Sequence, residues 1–406
     1  MMLSVAEALA RILAPFSPLA GEVVGIDRAV GRVLAEPVAA RLSQPPAAVS
    51  AMDGYAVRGT DIARLPAKLK VIGTIAAGMS PEMPVNAGEA ARIFTGAILP
   101  PGADTVVIQE NCARDGDVVS VGEGSNKPGQ HVRAAGNDFR LGEIGLSAGR
   151  QLTARDIAFA AAMNWPNLTV TRRPRIALLS TGDELQHPGE PLGPAQIVAS
   201  NGIGLAALVT ACGGESINLG IARDNMADLN RALDGARGAD VLVTTGGASV
   251  GELDLIQRAL QEKGADLDFW KIAMRPGKPV MFGTLDKLPV LGLPGNPVSA
   301  LVTATLFLRP IVERLLGRTD AETGPSMARL GTALKANDQR QDYLRATVGR
   351  GPDGGLVATP FAKQDSAMLS LIAKADALII RPPHAPAANA GDLTEILPLA
   401  GGCLSI

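Results

Sequence analysis

Ile176-Ala177-Leu178-Leu179-Ser180-Thr181-Gly182-Asp183-Glu184 is an apolar run that stops at two hydroxyls, a glycine and two acids. A short continuous apolar run bounded by a turn reads as a strand buried on both faces. The same pattern recurs downstream. Apolar runs at 216–219, 241–245 and 289–293 alternate with helix-period segments near 203–211, 226–233, 253–261 and 298–316. Such alternation predicts a mostly parallel sheet with helices on both faces, a three-layer α/β domain.

Outside this centre the pattern changes. Residues 2–16 carry Leu3, Leu9, Ile12, Leu13 and Phe16 at near-helical spacing, interrupted by Glu7 and Arg11, which predicts an amphipathic helix and not a signal peptide. Residues 22–50 read as short strands joined by turns. The span 52–136, with apolar runs at 69–75, 91–94 and 105–108, predicts a small β-rich domain. Thr153 and Asp156 form an acidic capping box opening a helix over 154–163, and Pro166 and Arg172-Arg173-Pro174 mark a boundary. After Gly317, alternating strands at 343–348, 378–380 and 393–397 predict a C-terminal β domain.

Composition narrows the function. The chain has 406 residues, too many for one core, and is 47% hydrophobic and 19% charged, a globular balance. A net charge of -2 offers no cationic field for a phosphate backbone, and 3% aromatics leave few stacking platforms, so nucleic acid is not expected as a partner. Cys112, Cys212 and Cys403 lie far apart, and His131, His187 and His384 are isolated, which argues against disulfides, a zinc site or a Cys-His dyad. No run reaches the roughly 20 apolar residues of a membrane span. A cytoplasmic enzyme with a small ligand is the expectation.

Ligands of open α/β sheets bind beyond the carboxyl ends of the strands. Four segments fall there: Ser180 to Glu184; Gly220 with Arg223 and Asp224; Gly246-Gly247-Ala248-Ser249-Val250-Gly251-Glu252-Leu253-Asp254; and Pro294-Gly295-Asn296-Pro297. Glycine lets backbone amides approach an anion, so the Gly246 and Gly295 loops are candidate phosphate cradles. Asp183, Glu184, Asp224, Glu252 and Asp254 suit a partly hydrated Mg²⁺ shared with substrate phosphates. Lys271, Arg275 and Lys278 flank a Pro276-Gly277 turn and suit an oxyanion. Ser50 to Arg58, with Asp53, and Phe94-Thr95-Gly96-Ala97 repeat the theme of an acid or hydroxyl beside glycine, but periodicity assigns them no role.

Taken together, the Ser50 to Arg58 run, Glu89 through Gln109-Glu110, and the segments at 180–185, 246–254, 271–279 and 293–297 resemble the MoeA family, to which the C-terminal part of gephyrin is related. The likeness covers nearly the whole chain. It implies four domains: an elongated connecting domain of 1–49 with 137–170, an inserted β-rich domain of 50–136, an α/β molybdopterin-binding domain of 171–320, and a β-barrel-like domain of 321–406. It implies a homodimer whose active site is shared between subunits, and a Mg²⁺-dependent insertion of molybdate into adenylylated molybdopterin that releases AMP. By the resemblance Asp53, Thr95 and Asp254 are catalytic; Glu184, Asp224 and Asp254 hold metal; and Gly246, Gly247, Ser249, Gly251, Lys271, Arg275, Lys278, Pro294, Gly295, Asn296 and Pro297 bind substrate. The molybdopterin adenylyltransferase and apo-molybdoenzymes are implied as further partners. The sulfurs that capture molybdenum belong to the substrate, which accounts for the sparse Cys and His.

Four positions depart from the family pattern: Arg275 where Lys is more common, Asn137 where Glu is common, and Asp342-Tyr343 in place of Glu-Phe before Leu344-Arg345-Ala346. Two other functions share parts of this pattern. An adenylyltransferase would carry Gly-Gly-Thr-Gly where this chain has Gly246-Gly247-Ala248-Ser249, and a gephyrin-like scaffold would not need the acids and cations.

Overall fold

The computed structural model describes residues 2–122, 127–246, 255–319 and 324–399. Two compact units emerge, Pro37–Ser147 with Arg155–Leu168, and Met1–Glu36 with Ala148–Ala154 and Thr169–Ile406.

The smaller unit holds a six-stranded sheet of β1 (Gly54–Val57), β2 (Ala67–Ile75), β3 (Glu89–Ile93), β4 (Thr105–Ile108), β5 (Cys112–Asp115) and β6 (Val118–Val121), in the order β4-β1-β3-β2-β6-β5. Only β2 and β3 pair in parallel. Strand periodicity explains the core. Tyr55 and Val57 enter one apolar cluster with Leu69, Val71 and Val107, while Ala56 between them enters another with Ile75, Ala91 and Val106.

In the larger unit α1 (Val5–Leu13) opens with a reciprocal Ser4–Glu7 capping box and buries Ala8 and Ile12, as its spacing requires. The central sheet contains β7 (Arg175–Thr181), β8 (Glu215–Ala222), β9 (Val241–Thr245) and β10 (Asp266–Lys271). After the two-residue β11 (Met274–Arg275) it gains β12 (Pro279–Leu285) and β13 (Leu288–Leu293), giving the order β8-β7-β9-β13-β12-β10. The first four strands are parallel; β12 runs antiparallel to β13, and β10 runs antiparallel to β12, so that β12 alone is reversed. The sheet is therefore mixed, with the expected parallel majority. Ile176, Leu178, Val241, Val243 and Leu291 face α2 (Asn201–Ala211), while Ala177, Leu179, Leu242 and Val290 face α3 (Met226–Asp234) and α4 (Leu255–Glu262). That division makes the three layers. Truncating Leu178 to Ala would cost about 2–5 kcal/mol.

Two elements differ from the sequence reading. β8 runs on through Gly220, because a bulge opposite Leu178–Ser180 absorbs one residue and Gly220 takes a φ of 81°. The helix expected over 298–316 is broken into α5 (Pro297–Thr303), a π-turn at Ala304–Leu308 and α6 (Arg309–Leu316). Pro310 explains the break: it has no N–H for Leu306, and its ring would strike that carbonyl in a straight helix.

The chain then forms β14 (Ser326–Leu330), β15 (Gln341–Arg350), β16 (Leu356–Pro360), β17 (Ala377–Arg381) and β18 (Leu393–Pro398). They pair in the order β15-β16-β14-β18-β17, and β15 pairs again with β17, closing a five-stranded barrel. β11 attaches in parallel to β15. Among the described residues no helix is long and apolar enough to cross a membrane.

Candidate functional site

The carboxyl ends of β7, β9 and β13 lie side by side because those strands are parallel neighbours. Their exits are packed backbone to backbone. Gly246 leaves β9 with a φ of 93°, and a Cβ there would stand 2.8 Å from both the carbonyl and the hydroxyl oxygen of Thr181. A Cβ on Gly295 would lie 3.6 Å from Gly246 Cα. Only glycine fits the first position, for steric and for conformational reasons. Asn201 Nδ2, at the start of α2, donates to the Gly295 carbonyl at 2.6 Å, and Thr245 Oγ1 donates to Ser180 Oγ at 3.3 Å. Pro294, Gly295, Asn296 and Pro297 therefore stand beside Gly246 and the Ser180 strand end, as the sequence pattern predicts.

The acids follow on the same edge. The Asp224 amide donates to Asp183 Oδ1 at 3.1 Å, and Arg223 Nη1 donates to the Asp183 carbonyl at 2.7 Å. Glu184 folds its carboxylate over Gly182, where any side chain would collide with it. Asp183, Glu184 and Asp224 are thus exposed oxygen donors on adjacent loops, a donor set that suits Mg²⁺, which takes one or two carboxylates together with water and phosphate. Gly247, Ser249, Gly251, Glu252 and Asp254 lie outside the described residues. Among those described, no group of three or more His, Cys, Asp or Glu could hold a metal by itself.

The basic segment is not one loop. Lys271 ends β10 opposite Pro279 on β12, and the turn between them rests on α5: a Cβ on Gly277, whose φ is 102°, would collide with Thr303 and lie 3.7 Å from the Ser299 carbonyl. Lys271 and Lys278 are exposed. Arg275 is engaged: its Nε and Nη2 bind the two carboxylate oxygens of Asp342, the Nε bond being 2.9 Å, and Asp338 lies 3.6 Å away. Asp342 also raises the Arg275 pKa. The substitutions at 275 and 342 are therefore partners in space, a forked cation with a short carboxylate.

Three residues beyond Asp342, β15 carries a group that the sequence reading missed. Arg345 is fully buried, and its Nε, Nη1 and Nη2 have no hydrogen-bond partner among the described residues. Its backbone is fixed by Gln364, which accepts from the Arg345 amide and donates to its carbonyl, both at 3.0 Å. Burial pushes the guanidinium pKa down, and the Asp365 charge opposes this. The neighbouring Ser366 accepts from the Val298 amide and from Asn296 Nδ2, both at 3.2 Å, which ties this segment to the Pro294–Pro297 exit. The available signal was a charge inside an otherwise apolar strand, Tyr343-Leu344-Arg345-Ala346.

In the smaller unit the structure joins Asp53 to Thr95. Asp53 Oδ1 accepts from the Thr95 amide and the Thr95 hydroxyl, each at 2.8 Å. Those two bonds, in that order, and then the Arg92 charge hold the Asp53 carboxyl below its ordinary pKa.

Comparison with known proteins identifies the family. Family models describe residues 3–164 as a MoeA N-terminal region (domain I and II), 177–314 as a probable molybdopterin binding domain, and 327–399 as a MoeA C-terminal region (domain IV). A molybdopterin molybdenumtransferase of Nostoc is 43% identical over 304 residues, covering 73% of this chain and 70% of that protein. The protein of the same name from Haemophilus influenzae is 34% identical over 401 residues, covering 98% of each. The crystal structure of the molybdopterin biosynthesis moeA protein of Pyrococcus horikoshii superposes with a TM-score of 0.86 at 32% identity, covering 99% of this chain and 100% of that one.

Proposed function

The chain belongs to the MoeA family, and on that premise we propose that it is a molybdopterin molybdenumtransferase: it inserts molybdate into adenylylated molybdopterin and releases AMP. The observation that carries the reading is Arg345. A buried cation without a hydrogen-bond partner costs several kcal/mol; Arg345 has none among the described residues, the Asp365 charge offsets only part of its burial, and an oxyanion substrate would offset the rest. Lys271 and Lys278 add charge on the neighbouring turn, while Arg275, already bonded to Asp342, holds that turn against the barrel.

The pterin and its phosphates take the edge formed by Gly246, Pro294, Gly295, Asn296 and Pro297, and the family resemblance adds Gly247, Ser249 and Gly251 as binding residues. Glu184, Asp224 and Asp254 would hold Mg²⁺, which would supply positive charge to neutralise the pyrophosphate. Asp53, kept ionised by Thr95, orients the water or displaced oxide that attacks the phosphoanhydride, and the P–O bond to AMP breaks. In this reading the enzyme is a cytoplasmic homodimer, with Asp53 of one copy serving the α/β domain of the other. An adenylyltransferase and apo-molybdoenzymes stand before and after it.

The test mixes purified protein with adenylylated molybdopterin, molybdate and Mg²⁺ and follows AMP. Molybdate-dependent release, with a product that activates an apo-molybdoenzyme, is the expected result. Adenylylation of free molybdopterin by ATP would instead make the chain an adenylyltransferase. A folded dimer doing neither would make it a scaffold.

A further inference from the structure

We propose that Arg92 is a positioning residue for Asp53, an inference that rests on the catalytic reading of Asp53 given above. Arg92 Nη1 donates to the Gly54 carbonyl at 3.0 Å, and Nη2 donates to Gln109 Oε1 at 2.6 Å. Both partners border Asp53. Gly54 follows it in the chain, and the Gln109 amide donates to the Asp53 carbonyl at 3.1 Å. One guanidinium thus ties β1, β3 and the end of β4 together around a single peptide unit.

Two further features make the clamp rigid. Its guanidinium carbon lies 4.9 Å from the Phe94 ring centroid and 5.3 Å from that of Tyr55, so aromatic faces restrict it from the sides. Gly54 itself cannot retreat, because a Cβ there would overlap the Val107 carbonyl, which shows how closely β1 and β4 approach. On the other side of Asp53, the Met52 amide donates to Ser50 Oγ at 3.3 Å, and Ser50 Oγ donates back to the Met52 carbonyl at 2.5 Å. The Asp53 backbone is therefore gripped on both sides, and Thr95 grips the carboxylate. Arg92 is also the charged side chain, among the described residues, whose field acts on that carboxylate. Its fork explains why arginine stands here: lysine could supply the charge but not bonds to Gly54 and Gln109 at once.

A misplacement of about 1 Å at a reacting group costs on the order of 100-fold in rate. The experiment measures AMP release at saturating molybdate, with kcat and KM determined separately, for Arg92→Gln, Arg92→Lys, Asp53→Asn and the double variant Asp53→Asn/Arg92→Gln. Arg92→Gln should lower kcat by about 10- to 100-fold with KM nearly unchanged, and its acidic pH limb should move up. Arg92→Lys should return the limb but only part of kcat. The double variant should be no slower than Asp53→Asn alone, because Arg92 acts through Asp53. Gln109→Ala carries the same test, with a smaller loss, if Arg92→Gln does not fold. An unchanged kcat in both Arg92→Gln and Gln109→Ala, a loss confined to KM, or a double variant slower than Asp53→Asn would overturn the inference while leaving the catalytic Asp53 intact. Full activity in Asp53→Asn would overturn both.

Discussion

Asp53 and Arg345 are two charges solved in opposite ways. Asp53 is partly exposed and accepts two hydrogen bonds from the chain itself, which lower its pKa. The Arg345 side chain is fully buried and donates to none of the described residues, and burial lowers its pKa too, against the charged form. For the carboxylate the fold stabilises the ionised form; for the guanidinium it leaves the ionised form in want of a partner. In the proposed reading Asp53 is complete before substrate arrives, and Arg345 only afterwards.

Breaking the complete side should have the largest effect. Asp53→Asn keeps shape but removes the charge, and kcat for AMP release should fall on the order of 1,000-fold, with the oligomeric state unchanged by sedimentation. The incomplete side should respond differently. Arg345→Met should lower kcat/KM for molybdate by about 100-fold, yet stabilise the substrate-free protein by about 1–4 kcal/mol in denaturant melts, because an unpaired buried charge is gone. Loss of stability in that variant would mean that the guanidinium is already paired.

Thr95→Val sharpens the Asp53 half, since it removes the hydroxyl bond but keeps the amide bond. A carboxylate whose pKa is depressed stays ionised at high pH and loses its charge as pH falls through that pKa. Removing one cause of the depression should move the acidic limb of kcat upward and reduce kcat at neutral pH by about tenfold or less. Smallest should be Arg275→Lys, an intermediate case whose cation is half exposed and already bonded to Asp342. The KM for molybdate should change by about threefold, because a point charge replaces the fork and solvent screens the pair.

The same contrast decides what the sequence could reveal. The strand at 176–179 and its neighbours were legible because strands buried on both faces read as unbroken apolar runs. The loop exits at Gly182, Gly246 and Gly295 were legible because glycine and acids at strand ends have few other uses in an open α/β sheet. Asp53 and Thr95 could be picked out only by family resemblance, since 42 residues separate them and local pattern says nothing of their bond. The pairing of Arg275 with Asp342 spans 67 residues and depends on β11 joining the barrel, which no local signal encodes. In the sequence Arg345 reads as one more residue of a strand. Its burial without a hydrogen-bond partner among the described residues is a property of the fold, which no local pattern in the sequence records. The π-turn had a visible cause in Pro310, but helix-period apolar residues on both sides concealed it.

The account turns on whether the buried guanidinium receives the oxyanion. The direct measurement is calorimetric titration of molybdate into the wild-type protein, Asp53→Asn and Arg345→Met. Saturable binding in the first two and its loss in Arg345→Met is the predicted result. Binding of equal strength in Arg345→Met would contradict the account and put the molybdate elsewhere on the protein.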